Sequence, residues 1–69
     1  MTFKKFCELK LKEYPDGIWI HFVSGFHGAE CYLDEYYLTE FEGILDKEVT
    51  DWFLDECDYD ILEVFLNED

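Results

Sequence analysis

The chain has no arginine, and its five lysines face eighteen Asp and Glu residues for a formal net charge of −13. That imbalance excludes several classes of function. Nucleic-acid phosphates and anionic membrane surfaces carry the same sign, so direct binding to either is not expected. Cysteine is sparse as well. Cys7, Cys31 and Cys57 are odd in number, widely spaced and without a CxxC pair, which is not a disulfide framework. They read as small buried hydrophobes in a reducing cytoplasm. No run of 18 apolar residues and no secretory leader is visible, so neither a membrane span nor export is expected. The glycines match neither GxGxxG nor GxxxxGK[ST], so a phosphate cradle has no support.

Site chemistry is equally thin. His27 and Cys31 are four apart, and His21 and Cys57 could join them, but the paired spacings of zinc sites are missing. Asp55, Asp58 and Asp60 begin like a calcium loop. Ile61 then stands where that loop needs glycine, and the chain ends too soon for the closing glutamate. Cys31 with His21 or His27 has the residue types of a nucleophile and its base, with nothing to mark an orienting group or an oxyanion nest. The expectation is no enzyme, no cofactor and no metal.

What the chain does have is aromatics, at 20% of residues, within 49% apolar residues. That is enough for the core of one domain spanning 1–69, near the lower size limit for independent folding. Fourteen aromatic side chains exceed what so small a core needs. Some should stay partly exposed, and a homodimer is one way to cover them.

The element signals run in order. Residues 2–12 fit two periods. Phe3, Phe6, Cys7 and Leu11 make a helical stripe behind a Thr2 cap, while Cys7, Leu9 and Leu11 alternate as in a strand. Tyr14-Pro15-Asp16-Gly17 is strong turn chemistry and favours the strand, giving an N-terminal hairpin with 18–23. In that second strand Ile18, Ile20 and Phe22 face one way, and Trp19, His21 and Val23 the other. Phe26 sits between Gly25 and Gly28 in a loop, as a plug on the core or a contact residue. Residues 29–33 suit a third short strand. Asp34 to Glu42 reads as a helix capped by Asp34, with Leu33, Tyr37, Phe41 and Ile44 as its stripe and Gly43 at its end. A last strand starts at Tyr59 or Asp60 and runs to Leu66, with Leu62, Val64 and Leu66 on one face. The tail Asn67-Glu68-Asp69 is solvated.

Asp46 to Asp60, DKEVTDWFLDECDYD, reads as a second helix. Leu45, Val49, Trp52 and Phe53 recur at i, i+4, i+7 and i+8, an apolar stripe that places Trp52 in the core. Glu48, Asp51, Asp55 and Asp58 recur on the other side as an acidic ridge. The expected fold is therefore α+β: a small antiparallel sheet, from the N-terminal hairpin plus the C-terminal strand, with two short helices packed on one face.

Charge is unevenly placed. Residues 1–29 carry four lysines against three acids, and residues 30–69 carry fifteen acids against Lys47 alone. A solvated face is the plain explanation of a charge run, but this concentration exceeds what solubility requires. Carboxylates one helical turn apart, about 5–6 Å, approach the charge density of a nucleic-acid backbone. A Lys- and Arg-lined groove would accept such a ridge. In general character the chain resembles the small acidic phage-encoded inhibitors, anti-CRISPR proteins and DNA-mimic inhibitors among them. The resemblance lies in DKEVTDWFLDECDYD and DILEVFLNED and covers the second half. It implies a stoichiometric inhibitor that blocks the nucleic-acid groove of a defence complex in the host cytoplasm.

The expected function is thus an acidic inhibitor of a basic nucleic-acid-binding protein. Its partner-binding residues would be Glu35, Glu42, Glu48, Asp51, Asp55 and Asp58, with Tyr59 as an anchor. The alternative is a small interaction module or dimeric adaptor using the apolar face around Trp19.

Overall fold

Apolar residues at every second position along Ile18–Ser24 and Asp60–Leu66 make two strands that bury Ile18, Ile20, Leu62, Val64 and Leu66 on one side. These strands, β1 and β4, lie side by side at the centre of a four-stranded sheet in the order β2-β1-β4-β3. In the computed structural model, which describes residues 1–56 and 58–67, β2 is His27–Leu33 and β3 is Val49–Glu56. β2 joins β1 and β3 joins β4 as antiparallel hairpin partners, whereas β1 and β4 run parallel. The protein is α+β with a mixed sheet and two helices. The helices are α1, Phe3–Glu13, and the single turn α2, Tyr37–Glu40.

The expected N-terminal hairpin is overturned, because residues 3–13 are helical. Phe3, Phe6 and Cys7 are buried, and the helical stripe outweighs the alternation. Thr2 caps the helix as expected, its Oγ1 accepting from Lys5 N at 3.3 Å. The N–H groups of Phe3 and Lys4 donate to the carbonyls of Lys47 and Leu45, and that of Phe6 to Thr2. Phe6 thus makes the first bond within the helix, and three of the donors that a helix start leaves unpaired, those of Phe3, Lys4 and Lys5, are met. Segment 45–47 is docked against the helix start by the same bonds. Tyr14-Pro15-Asp16-Gly17 ends the helix instead of closing a hairpin. The hairpin turn lies at Gly25-Phe26, between β1 and β2, where Gly25 has φ 64°. The short strand expected at 29–33 is the second half of β2, and the sheet is mixed instead of antiparallel.

The acidic helix expected over 46–60 is also overturned. Residues 49–56 are a strand, 41–46 are turns and Lys47 is a bend. Val, Thr, Asp, Trp and Phe are mediocre helix formers, and like charges on one ridge would have weakened that helix further. A bulge between Val49 and Asp51 shifts the alternation by one residue. Val49, Trp52 and Leu54 then face inward, and Asp51, Phe53 and Asp55 outward. Cys57 lies outside the described residues, as do Glu68 and Asp69 of the expected tail; Asn67 is exposed.

The helix expected over 34–42 shrinks to one turn. Asp34 caps the preceding bend, its Oδ1 accepting from Tyr36 N at 2.9 Å. Gly43 ends the region at φ 95°. Phe41 from this segment enters the core edge-on, 5.0 Å from the ring of Phe3 and 5.7 Å from that of Phe22. Both helices thus cover one face of the sheet, over Ile18, Ile20, Leu33, Leu62, Val64 and Leu66. Trp52, expected in the core, lies on this side but keeps 40% of its surface in water. Its ring is edge-on to Phe6 at 5.5 Å, with the Lys10 ammonium 3.7 Å above it. Among the described residues, no helix is long and apolar enough to cross a membrane.

Cys7 and Cys31 carry free thiols facing this core. Burial pushes Cys7 up to about 12, with Cys31 and Glu8 adding to the shift. Burial pushes Cys31 up to about 11, helped by Glu40, Asp34 and Glu30. Thiols of the unfolded chain ionise from about 9.0, so above that pH the unfolded state holds fewer protons than the folded one. Stability should fall as pH rises from about 9 through 12, read as a declining urea midpoint. At pH 8 the same two thiols should resist iodoacetamide until denaturant is added, as followed by peptide mass. Phe41→Ala should cost about 3–5 kcal/mol, comparable with the whole stability expected of so short a chain, and a urea titration by circular dichroism measures it.

Candidate functional site

The face of the sheet away from the helices is open to solvent. Strand alternation and the two registers set its side chains in three rows. One row is Tyr32, Trp19, Ile61 and Asp55; the next is Glu30, His21, Glu63 and Phe53; the third is Gly28, Val23, Phe65 and Asp51. Each row carries at least one aromatic and one acidic group. Not one lysine or arginine occurs in any of the four strands, and four of the five lysines are on α1, across the sheet.

Trp19 anchors one end of the face, 41% exposed. Tyr32, its cross-strand partner, lies edge-on at 5.4 Å and 82°. Tyr59, two residues before Ile61, comes over from the other side at 6.1 Å and 60°. Its hydroxyl donates to Glu30 Oε1 at 3.2 Å. The three rings and the Glu30 carboxylate thus form one cluster spanning β2, β1 and the start of β4. Tyr32 is fixed from below, its hydroxyl donating to the Asp16 carbonyl at 3.0 Å. Gly17 makes this possible. At φ 95°, a Cβ there would run into the Tyr32 ring and stand 2.7 Å from the Leu33 carbonyl.

At the centre, His21 Nδ1 is 2.6 Å from Glu63 Oε2. Glu30 is the cross-strand neighbour of His21 on the other side, so the imidazole stands between two carboxylates. Phe53 and Phe65 pack at 6.1 Å along the β3 side, with Asp51 and Asp55 flanking Phe53. Backbone N–H of Trp52 donates to Asp51 Oδ1 at 2.9 Å.

The structure brings together only part of the set expected from sequence. Trp19, Tyr59, Asp51 and Asp55 share the open face, and Asp58 lies beside Tyr59 in the β3–β4 connection. Glu35 and Glu42 flank α2 in the segment that packs on the opposite side. Glu48 is held elsewhere, bridging Thr2 and meeting the N-terminal ammonium at 3.1 Å. The acidic ridge at helical spacing does not exist. Glu30, Tyr32 and Phe53 join the face unforeseen, whereas His21 lies beside Trp19 as its alternation in the expected strand placed it. Reading 51–55 with period two would have found Phe53, and the expected strands already implied Glu63.

Phe26, weighed as a plug or a contact residue, is fully exposed at the hairpin tip. It rims a cleft with Phe22, His27, Ile44 and Lys47. Cys31 faces the core and His21 the open side, so the sheet separates that nucleophile–base pair, and His27 stands four residues from Cys31 along the extended strand β2, roughly 13 Å at about 3.3 Å per residue. Among the described residues, no three His, Cys, Asp or Glu side chains are gathered closely enough to hold a metal ion. No family model, no curated protein and no solved structure matches the chain.

Gly17→Ala should be destabilising by more than about 1 kcal/mol, because alanine there is both strained and obstructed. It should also displace Tyr32 and shift the Trp19 indole N–H resonance, while that of Trp52 on the far face stays in place.

Proposed function

We propose that the chain acts by binding, and that its open sheet face docks on a basic surface of a nucleic-acid-binding protein. Occupying such a groove excludes the nucleic acid, which makes the chain a stoichiometric inhibitor of the general anti-CRISPR or DNA-mimic kind. One observation carries this reading: the cations are one-sided, although Glu35, Glu42 and Glu48 put carboxylates away from the open face as well. Glu30, Asp51, Asp55 and Glu63 lie on a face without a cation in its strands, and the lysines of α1 lie behind it. A field of one sign over a face speeds encounter with a surface of the other sign and rejects like-charged ones. The partner's lysines and arginines would release the counterions they hold, as they do for phosphates.

The face also carries the apolar contact area of the alternative reading. Trp19, Phe53 and Tyr59 are each at least two-fifths exposed, and aromatics in the middle of a patch supply most of the energy at protein interfaces. In this proposal the aromatics provide affinity while the carboxylates provide orientation and choice of partner. Pairing of two copies face to face is opposed by the same carboxylates. An adaptor of that kind would have to desolvate like charges against each other.

The test is a pull-down from host-cell lysate at low salt, repeated at high salt, followed by affinity measurement on the captured partner. Affinity should fall by tenfold or more between about 50 and 200 mM salt, and Asp51→Lys with Asp55→Lys should abolish binding with the fold intact. Trp19→Ala should weaken it by about 2 kcal/mol. Binding that ignores salt but is lost with Trp19→Ala would establish the adaptor instead.

A further inference from the structure

The aromatic cluster at the Trp19 end has a chemistry of its own. Three rings from three parts of the chain meet there, with Trp19 between Tyr32 and Tyr59. Each keeps a third or more of its surface in water. A carboxylate, Glu30, is tied to the rim by the Tyr59 hydroxyl. Ring faces attract a cation through their quadrupole, and tryptophan does so best. The carboxylate adds a charged acceptor at the edge of the same cluster. We propose that this cluster is a receptor for one arginine side chain of the basic partner, the guanidinium lying on the Trp19 ring with its N–H groups toward Glu30.

Guanidinium suits the geometry better than the other protein cations. It is planar and weakly hydrated, stacks on aromatic faces, and presents a fork of donors that matches a carboxylate. A lysine ammonium is compact and strongly hydrated, so it loses more on leaving water. A trimethylated ammonium has no N–H to offer Glu30. The opposite face of the sheet shows the principle at work within the chain. There Lys10 sits 3.7 Å over the ring of Trp52 and pairs with Glu13 at 3.0 Å. Having no arginine of its own, the chain can fill the Trp19 cluster with guanidinium only from another molecule. The open face, acidic and without lysine in its strands, favours the approach of such a molecule.

This inference rests on the basic-partner reading and is tested separately from it. The intact chain is titrated at low salt with three capped hexapeptides of equal charge, alternating glycine with arginine, lysine or trimethyllysine. Binding is followed by the indole N–H resonances of Trp19 and Trp52. The arginine peptide should bind about tenfold more tightly than the lysine peptide and should move the Trp19 resonance but not that of Trp52. Glu30→Gln, a change on the exposed rim, should remove most of that preference. Trp19→Ala should bring the arginine peptide to the affinity of the lysine one. Equal affinity for all three peptides, or shifts away from Trp19, overturns the arginine receptor while leaving the acidic docking face in place. Preference for trimethyllysine overturns it in favour of a quaternary-ammonium site. No binding of any peptide overturns both.

Discussion

β1 and β4 pair in parallel through the middle of the sheet, and Ile20, Phe22, Leu62 and Val64 project from them onto one side. Ile20, Leu62 and Val64 are essentially removed from water, and Phe22 packs against them. This contact sets the parity of everything beside it. β2 and β3 are added as hairpin partners at the two edges, and their alternation follows that of the central pair. α1 and the segment through Phe41 then have one apolar face to cover, and they cover it with Phe3, Phe6 and Phe41. The opposite side receives Trp19, His21, Ile61, Glu63 and Phe65 by the same parity. Aromatics stay exposed there because all the helical cover lies on the other side of the sheet.

Such a division explains why the acids are where they are. A sheet open on one side commonly solvates that side with polar residues of both signs. Here the charged groups that the strands offer are carboxylates, set among His21, aromatics, Ile61 and Val23. His21 sits between Glu30 and Glu63 and bonds to the latter, and Tyr59 bonds to the former, so part of the negative charge is organised instead of loose. Of the four lysines on α1, Lys5 pairs with Glu8 at 3.9 Å and Lys10 with Glu13 at 3.0 Å, and all four stand behind the sheet. They therefore do little to screen the far face.

Much of the centre was legible in the residues themselves. IWIHFV, apolar on both faces, and DILEVFL have the length and residue types of strands, and both lie where expected with Ile18, Ile20, Leu62, Val64 and Leu66 inward. Thr2 was readable as a cap. The helix that follows it was misjudged because Pro15-Asp16-Gly17 serves equally as a helix stop and as a hairpin turn. The difference depends on the carbonyls of segment 45–47 accepting from the N–H groups of the helix start, a tertiary contact that no local pattern encodes. In DKEVTDWFLDE a bulge at residues 49–51 breaks the period of two, so the stretch fits a helical stripe by accident. The parallel pairing of two hairpins is likewise a long-range choice. The open face was only partly visible for that reason: Trp19 and Tyr59 could be named, but their meeting with Tyr32 and Glu30 required the strand order.

The same parallel pairing has a kinetic consequence. His21 and Glu63 are 42 residues apart in a chain of 69, and no local turn can bring β1 to β4. Each hairpin can form early by itself, but neither has a complete core until the other arrives. Closing so long a loop is entropically costly before any burial compensates, and topologies dominated by distant contacts fold slowly for their size. During that interval the half-formed hairpins show apolar edges to one another and to neighbouring chains. Mutual repulsion among the carboxylates of the second half then keeps separate molecules apart while each one completes its sheet.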